Sequence, residues 1–280
     1  MLTLYKRTNF KISKIVTHSY STSFSLGICM FDHKFHLPIY SIYGFVRYAD
    51  EIVDTFDSEH KAALLAEFKE DTHKAIIRGI STNPILDSFQ EVVRTYHIDT
   101  ELIDAFLLSM EMDLYRSSYN RTLYEKYVYG SAEVVGLMCL KVFCENDINK
   151  YHEFSPYARS LGAAFQKVNF LRDIKDDFYN RGRLYFPELA HAQHINENTK
   201  SVIIKDIQRD FDHAIIGIKM LPAGARRGVY VAYIFYLALF KKLINTPGKE
   251  IMAKRIRINN FEKIILLIQA LLKQRFVTVA

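Results

Sequence analysis

Apolar positions along the chain run in long stretches that few turn-forming residues interrupt. The 280 residues include only 6 prolines and 11 glycines, and alternating patterns typical of β-strands are scarce. Long elements of this composition favour helices, so we expect an all-α fold, with a mixed fold containing a few short strands as the alternative. The predicted helices cover residues 41–56, 61–78, 100–117, 123–143, 157–179, 200–220, 228–243 and 261–276.

Local signals mark some of the helix ends. Gly79 and the pair Asn83-Pro84 are expected to end the helix over residues 61–78. Thr100 is the predicted N-cap of the helix that follows, because threonine is a favoured capping residue. No linker, repeat or low-complexity tract separates the helices, so the whole chain is expected to form one domain.

Membrane-spanning segments are not expected. The longest apolar run, 228–240, has 13 residues and is bounded by Arg227 and Lys241, whereas a span needs about 20 residues. The apolar run over 264–272 is shorter still, and the first residues of the chain are too polar for a signal peptide. We therefore expect a soluble protein or one at the membrane periphery.

Composition and charge narrow the classes of partner. Apolar residues make up 49% of the chain and charged residues 24%, which supports a packed core. The 20 Phe and 18 Tyr side chains would fill this core or line an apolar cavity. A formal charge of +6 favours anionic partners such as diphosphates or lipid surfaces. Nucleic acid is not expected, because there is no basic block with interleaved aromatics. Three cysteines without a pairing pattern indicate a cytoplasmic protein.

Two acidic clusters share one spacing. Asp50 and Asp54 lie four residues apart, and Asp173 and Asp177 repeat this spacing. On a helix, such a pair of carboxylates lies on one face, one turn apart. Acidic pairs of this kind are common on solvated helix faces, which is the alternative interpretation. Both clusters, however, lie within apolar sequence, and an arginine precedes the first aspartate of each.

Faces of this kind on two helices could point across one cavity and hold a metal. Magnesium prefers oxygen ligands and usually takes one or two carboxylates together with substrate phosphate. Metal ions between carboxylates and a diphosphate would stabilise the diphosphate as it leaves. The two clusters therefore indicate a magnesium-dependent site that ionises an allylic diphosphate.

At these residues the sequence resembles the squalene/phytoene synthase family, over most of the chain. The segment from Arg47 to Asp54 is similar to the family's first aspartate-rich motif, and the segment from Gln166 to Asp177 is similar to the second. Three further elements resemble the family in the same order along the chain: residues 21–24 (STSF), 127–136 (YVYGSAEVVG) and 181–187 (RGRLYFP).

Local similarity over residues 131–144 and 165–173 points most to bacterial phytoene synthases. Glu133 departs from the pattern, since the family usually has glycine there. Glu133 either occupies a tolerant helix position or places an extra acid near the reacting chains, where it would change the product.

The resemblance implies a role for each matching residue. The magnesium ligands would be Asp50, Asp54, Asp173 and Asp177. The side chains in contact with phosphate oxygens would be Ser21, Arg47 and Arg183. The second diphosphate or its metal would lie near Gln166 and Asn169. Tyr127 would lie close to the carbocation, which its ring face can stabilise, although a buried core tyrosine is the alternative. The prenyl cavities would be lined by Phe24, Val135 and Leu137.

The resemblance also implies a fold and a reaction. The fold would be a single-domain isoprenoid synthase bundle around a central apolar cavity. The reaction would join two geranylgeranyl diphosphates head to head through a cyclopropylcarbinyl diphosphate and end as phytoene by proton loss. It would use Mg²⁺, or alternatively Mn²⁺, and NADPH is not expected. The alternatives are a squalene or dehydrosqualene synthase that uses farnesyl diphosphate, a terpene cyclase, and a non-catalytic assembly factor. Because such substrates are oily, the alternative to a purely cytoplasmic location is peripheral contact with the inner membrane face.

Overall fold

Helices form nearly all of the ordered structure. The structure, a computed structural model, describes residues 1–56, 58–189 and 195–277. Within these ranges there is no β-strand, and the one isolated β-bridge joins Ser118 to Leu184. The helices are α1 (Leu2–Tyr20), α2 (Thr22–Cys29), α3 (His33–Asp54), α4 (Ser58–Arg78), α5 (Pro84–Thr95), α6 (Thr100–Tyr115), α7 (Arg121–Val128), α8 (Val134–Cys144), α9 (Ile148–Tyr179), α10 (Glu197–Met220), α11 (Ala223–Ile244), α12 (Gly248–Ala253) and α13 (Asn260–Val277). The prediction of an all-α fold is confirmed.

Each predicted helix is present, and several extend further than predicted. The helix expected over 157–179 begins instead at Ile148 and continues through Pro156. The helix expected over 123–143 is interrupted by a π-helical turn, Tyr129–Glu133, between α7 and α8. Thr100 is not the N-cap of α6: Asp99 holds that position, and its carboxylate pairs with Lys141 at 3.0 Å.

The sequence analysis missed four helices, α1, α2, α5 and α12. The Asn83-Pro84 pair was interpreted only as a turn, but it also begins α5, because the Asn83 side chain accepts hydrogen bonds from the amides of Ile85 and Leu86. Proline in the first turn costs no helical hydrogen bond. Helix α1 buries small polar residues such as Asn9 and Ser13 against α5, so it lacks an obvious apolar face.

The packing of α3 sets the direction of its acidic residues. Its Phe45 ring stacks on Phe89 of α5 at a centroid distance of 3.9 Å and packs on Phe106 of α6 at 5.4 Å. These rings are fully buried, so this face of α3 is tied to the core. Residues about half a turn away, including Asp50 and Asp54, therefore point into the interior space between α3 and α9.

Close contacts hold α9 against the π-helical turn and α8. A Cβ atom placed on Gly162 of α9 would lie 2.5 Å from the carbonyl oxygen of Ala132, so only glycine permits this approach of the two backbones. The run Arg121–Cys144 is long and apolar enough to cross a membrane by length and composition alone. Two thirds of its apolar window (67%) is buried inside the protein, as in the core helix of a soluble protein.

Candidate active site

A deep cavity of about 630 Å³ lies in the middle of the helices. Its inner part is apolar, with Phe31, Phe143, Leu161 and Ile218 among the lining residues. Its other part is strongly charged. The charged residues that line it are Arg47, Asp50, Asp54, Asp113, Arg172, Asp173, Asp176, Asp177, Arg181, Arg183 and Arg255. The cavity thus suits a ligand with a charged head and a long apolar tail.

The first acidic pair lies on α3 beside arginines from two parts of the chain. Arg47 pairs with Asp50 at 2.6 Å, one helical turn away. Asp54 pairs with two arginines that follow α9, Arg181 at 3.0 Å and Arg183 at 2.9 Å. The segment after the second aspartate-rich motif therefore folds back onto the first motif.

The second acidic pair lies on the last turns of α9, opposite the first. Asp173 pairs with its neighbour Arg172, and Arg255 from beyond α12 reaches it at 2.7 Å. Asp177 lies 3.4 Å from Arg181. Because Arg181 also pairs with Asp54, a single guanidinium joins the two acidic pairs across the cavity. The expectation that both clusters face one cavity is met.

The electrostatics of these pairs fit a divalent cation. Burial, and next the neighbouring Asp54 carboxylate, raise the pKa of Asp50 to about 6. Burial, and next the charge of Asp173, raise the pKa of Asp177 to about 7. Burial is the larger cause of both shifts and the neighbouring carboxylate the smaller one, and a cation between the carboxylates would oppose both. The oxygen atom Oδ1 of Asn169 is also buried in the lining and has no hydrogen-bond partner among the described residues.

Protein ligands alone do not form a closed metal site here. Among the residues that the structure describes, no group of three or more His, Cys, Asp and Glu side chains is arranged to hold a metal ion. Magnesium sites that also use substrate phosphates need only one or two carboxylates per ion. The donor set therefore fits ions that would bind together with a diphosphate, and Asp50, Asp54, Asp173 and Asp177 are the candidate protein ligands.

Asp113 is a central residue of the site that the sequence analysis missed. Its carboxylate, on α6, accepts hydrogen bonds from the hydroxyls of Tyr127 at 2.6 Å, Tyr185 at 3.0 Å and Tyr119 at 3.4 Å. The Arg183 guanidinium lies 3.9 Å away. Burial raises the pKa of Asp113 to about 6, and the guanidinium and the hydroxyl donors oppose the shift. Asp113 thus orients Tyr127 and links it to the arginine that holds Asp54.

The raised pKa of Asp113 predicts how an Asp113→Asn variant responds to pH. The folded protein holds the proton more tightly than the unfolded chain, whose carboxyl titrates near its ordinary value of 3.8. The wild-type protein therefore loses stability as pH rises from about 4 to about 6, by roughly 1.4 kcal/mol per pH unit from this group, and loses no more above that range. Asparagine does not titrate, so the stability of the variant relative to wild type should rise as pH increases from about 4 to about 6.

Urea unfolding of both proteins at several pH values between 4 and 8 measures this difference. A stability difference that is flat, or that moves against the variant as pH rises, would show that the pKa of Asp113 is not raised. Constant losses from altered hydrogen bonds do not affect the test, because only the slope with pH is compared.

Tyr127 lies in an aromatic cluster at the boundary between the charged and apolar parts of the cavity. Its ring centroid is 4.9 Å from that of Tyr185 and 5.8 Å from that of Phe170. Burial raises the pKa of the Tyr127 hydroxyl well above its ordinary value, so it stays neutral. Ring faces of this kind stabilise a nearby cation. Tyr127 is at once a buried tyrosine with a bonded hydroxyl and a lining residue, so the two interpretations of it do not exclude each other.

Most of the other predicted binding residues also line the cavity. The lining includes Phe24, Gln166, Asn169, Arg183 and Val135. Tyr236 and Arg255 reach the cavity from the C-terminal part of the chain, and the Tyr236 ring stacks on Phe165 at 3.9 Å.

Two predicted binding residues lie elsewhere. Leu137, which was predicted to line the cavity, is not among the lining residues: it is two positions from Val135 on α8, about 200° around the helix, and is buried in the core. Ser21 is next to the lining residue Tyr20 but is not itself in the lining. Its hydroxyl oxygen caps α2 by accepting a hydrogen bond from the Phe24 amide at 3.2 Å. The hydroxyl proton is still available as a donor, so the phosphate contact of Ser21 stays a prediction.

Comparison with known proteins agrees with this geometry. The family model described as "Squalene/phytoene synthase" matches residues 17–262. The chain belongs to the squalene/phytoene synthase family. Family membership accounts for the order of the sequence motifs and for both acidic pairs.

Individual relatives are phytoene and presqualene diphosphate synthases. The chain is 28% identical over 267 residues to phytoene synthase 1, chloroplastic, of Arabidopsis thaliana, covering 89% of this chain and 63% of that protein. It is 28% identical over 249 residues to presqualene diphosphate synthase of Rhodopseudomonas palustris, covering 82% of this chain and 86% of that protein. The chain thus spans less than two thirds of the chloroplastic protein's length.

A solved structure of the same family fold is also similar. A dehydrosqualene synthase in complex with ligand aligns with a TM-score of 0.80 at 18% identity, over 96% of this chain and 98% of that chain. The isoprenoid synthase fold that the sequence predicted is therefore confirmed.

Glu133, the departure from the family pattern, faces away from the cavity. Its carboxylate pairs with Arg159 at 2.6 Å, in a separate polar groove between α7, α9 and α10. It is not among the residues that line the central cavity. This geometry favours the interpretation of Glu133 as a tolerated helix residue over that of an acid beside the reacting chains.

Proposed function

We propose that this protein is a magnesium-dependent prenyltransferase that condenses two molecules of geranylgeranyl diphosphate head to head to give phytoene. One observation carries the proposal: two acidic pairs, on α3 and α9, meet through Arg181 at the charged end of an apolar cavity. Family membership supports the same reaction class, since its named relatives include phytoene synthases.

The arginines of the charged end would bind the two diphosphates. Guanidinium groups suit this task because they stay charged and present a planar fork of donors to phosphate oxygens. Arg47, Arg172, Arg181 and Arg255 are partly exposed to the cavity and now pair with the aspartates. Their exchange from carboxylate to phosphate partners would leave the carboxylates available for magnesium.

Magnesium held by Asp50, Asp54, Asp173 and Asp177 would neutralise the charge that develops on a departing diphosphate. The prenyl chains would extend into the apolar part of the cavity, where the walls keep water from the reactive cations. This placement also brings the two reacting ends close together, which lowers the entropic cost of joining them.

The reaction breaks two carbon–oxygen bonds and releases two diphosphates. In the first half, one substrate loses its diphosphate, the C2–C3 double bond of the second captures the cation, and loss of a proton gives a cyclopropylcarbinyl diphosphate. In the second half, this diphosphate leaves, the cation rearranges, and a proton is lost to give phytoene. No electrons are gained or lost, so the proposed reaction uses no NADPH.

Tyr127 and Asp113 would act on the cations formed in these steps. The Tyr127 hydroxyl donates a hydrogen bond to Asp113 and keeps its proton, and Tyr127 lines the cavity. The oxygen and ring would stabilise positive charge at the reacting carbons. Asp113 itself is a positioning residue in this proposal.

Farnesyl diphosphate is the alternative substrate. The relative named presqualene diphosphate synthase supports this alternative, because it is as similar to this chain, at 28% identity, as the phytoene synthase reported above. The preference for the longer substrate rests on the local similarity to phytoene synthases over residues 131–144 and 165–173. The protein would act in the cytoplasm, at or near the membrane surface where such substrates partition.

A product assay tests the proposal. Purified protein with MgCl₂ is incubated with geranylgeranyl diphosphate and, in parallel, farnesyl diphosphate, both without NADPH, and the hydrocarbons are identified by chromatography and mass spectrometry. Phytoene from the longer substrate is the expected result. If only farnesyl diphosphate were converted, to a C30 hydrocarbon, head-to-head condensation would stand but geranylgeranyl diphosphate would be the wrong substrate. Cyclic hydrocarbons from a single substrate, or no turnover by folded protein, would overturn the condensation in favour of a cyclase or a non-catalytic protein.

A further inference from the structure

Helix α13 exposes an uninterrupted apolar stripe to solvent. The stripe consists of Phe261, Ile264, Ile265, Ile268, Leu271 and Leu272, whose relative exposures run from 39% for Leu271 to 71% for Phe261. At 3.6 residues per turn, these six positions fall within an arc of about 120°. No charged residue between Phe261 and Leu272 lies within this arc.

The stripe is not the side of α13 that packs on the core. The opposite side of the helix makes those contacts. Ala270 is buried against Val231 and Phe235 of α11, and Leu266 and Leu267 pack on the same cluster. A surface helix of a soluble protein normally carries polar residues on the side away from its core. Since α13 is apolar on both sides, its outer side is suited to contact something apolar.

The helix also lies next to the wall of the active-site cavity. Lys263 of α13 donates a hydrogen bond to the hydroxyl of Thr22, at the start of α2, at 2.8 Å. Two residues further along α2, Phe24 lines the cavity. Arg255, which precedes α13, also lines the cavity and pairs with Asp173. The stripe therefore begins close to the charged end where the substrate heads are proposed to bind.

Exposed basic residues lie near the beginning of this stripe in the chain. Lys254, which pairs with Glu250, and Arg257 are exposed in the segment that leads into α13, and Lys241 is exposed near the end of α11, the helix on which α13 packs. Among the described residues, Arg257 has no acidic partner within ion-pair distance. Basic residues beside an apolar helical face are complementary to anionic headgroups above an acyl layer.

We propose that the α13 stripe docks this protein onto an anionic lipid bilayer, with α13 lying in the plane of the interface. The biological reason for this contact rests on the proposed function, because prenyl diphosphates and phytoene are oily molecules that partition into bilayers. The exposure of the stripe and the charges near it do not depend on that function. A contact between two copies of the chain is the other possible occupant of the stripe, and the measurements below separate it from a bilayer.

The absence of tryptophan from the chain allows a direct test of insertion. An Ile268→Trp variant places a single fluorescent probe in the stripe, and Ile77→Trp, at an 83% exposed position on α4, is the matched control. Vesicles of phosphatidylcholine with phosphatidylglycerol should shift the emission of the Ile268→Trp variant to the blue and leave that of the control unchanged. An unshifted emission from the Ile268→Trp variant would overturn the proposal.

Co-sedimentation with the same vesicles measures how much the stripe contributes to the affinity for the bilayer. The double variant Phe261→Glu, Ile268→Glu should bind at least about tenfold more weakly than wild type, because two apolar side chains that would enter the bilayer become charged. The control Ile77→Glu, Ile216→Glu also charges two exposed isoleucines, on α4 and α10, and should bind as wild type does. Binding should be weaker to phosphatidylcholine alone and at high salt. Equal binding by the stripe variant and the control would contradict the proposal.

Two further results separate this proposal from its alternatives. Sedimentation equilibrium without vesicles should show the same mass for wild type and the stripe variant. A wild-type dimer that the stripe variant dissociates, without vesicle binding, would assign the stripe to a second copy and overturn the lipid contact. Vesicle binding requires no turnover, so failure of the product assay does not affect this test. Product formation in detergent likewise tests the reaction without a bilayer.

Discussion

An Asp173→Asn substitution is expected to lower kcat/KM for prenyl diphosphate by at least about a thousandfold. Asparagine keeps the size of the side chain but removes the charge that would hold magnesium against the leaving diphosphate. Charge stabilisation of a leaving group by a metal contributes several kcal/mol, and about 1.4 kcal/mol corresponds to a tenfold change in rate. Steady-state kinetics at saturating and at limiting Mg²⁺ measure the loss, and the variant should also need more Mg²⁺ for half-maximal rate.

Two comparisons make this result specific to the site. Asp71→Asn removes a surface carboxylate from α4, 3.9 Å from Lys74 and far from the cavity lining, and should leave the kinetics unchanged. The unfolding midpoint of Asp173→Asn should stay close to that of wild type, because Asp173 is partly exposed and lies among arginines rather than in the core. Turnover within about tenfold of wild type would contradict a metal role for Asp173.

An Arg183→Met substitution is expected to destabilise the protein by about 3 kcal/mol or more and to abolish activity. The Arg183 side chain is only 9% exposed and pairs with Asp54 at 2.9 Å, with Asp113 at 3.9 Å. Its removal leaves two buried carboxylates near each other without this cation, and loss of one partner from a buried ion pair typically costs 3–5 kcal/mol. Urea denaturation at pH 7 measures the stability change.

The neighbouring Arg181 provides a matched control for stability. It also pairs with Asp54, at 3.0 Å, but its side chain is 42% exposed, so solvent screens the interaction. Arg181→Met should therefore cost no more than about 1 kcal/mol, although it removes the bridge between the acidic pairs and should lower turnover. If the two variants lost equal stability, burial would not be what makes Arg183 structurally important.

The sequence was sufficient to predict both acidic pairs, because each is contained in one helical turn. Local spacing determines which face the carboxylates share, and it needs no knowledge of the fold. Asp113 was missed for the opposite reason. It lies about sixty residues from either motif, and only the packing of α6 brings it to Tyr127 and Arg183. A carboxylate near the end of a largely apolar, buried helix was the available signal.

Helix α1 and Leu137 were misjudged for the same reason as Asp113: their environment depends on packing between helices. Helix α1 was missed because its buried face uses hydrogen bonds, such as Asn9 to Asp87 at 2.8 Å and Ser13 to Ser88 at 2.7 Å, in place of apolar contacts. Leu137 was placed in the cavity because the matched segment was treated as a whole, whereas successive residues of α8 face different directions. Neither hydrogen-bond partners across helices nor the rotation of a helix about its axis can be read from a local motif.

Detection of the condensed diphosphate tests head-to-head joining most directly. Wild-type protein, MgCl₂ and geranylgeranyl diphosphate are mixed, quenched at short times, and analysed by mass spectrometry for a diphosphate that contains the carbon atoms of both substrates. Head-to-head condensation predicts that this species appears before phytoene and then declines, and that Asp173→Asn forms neither. Release of diphosphate accompanied only by products with the carbon count of one substrate would contradict head-to-head condensation.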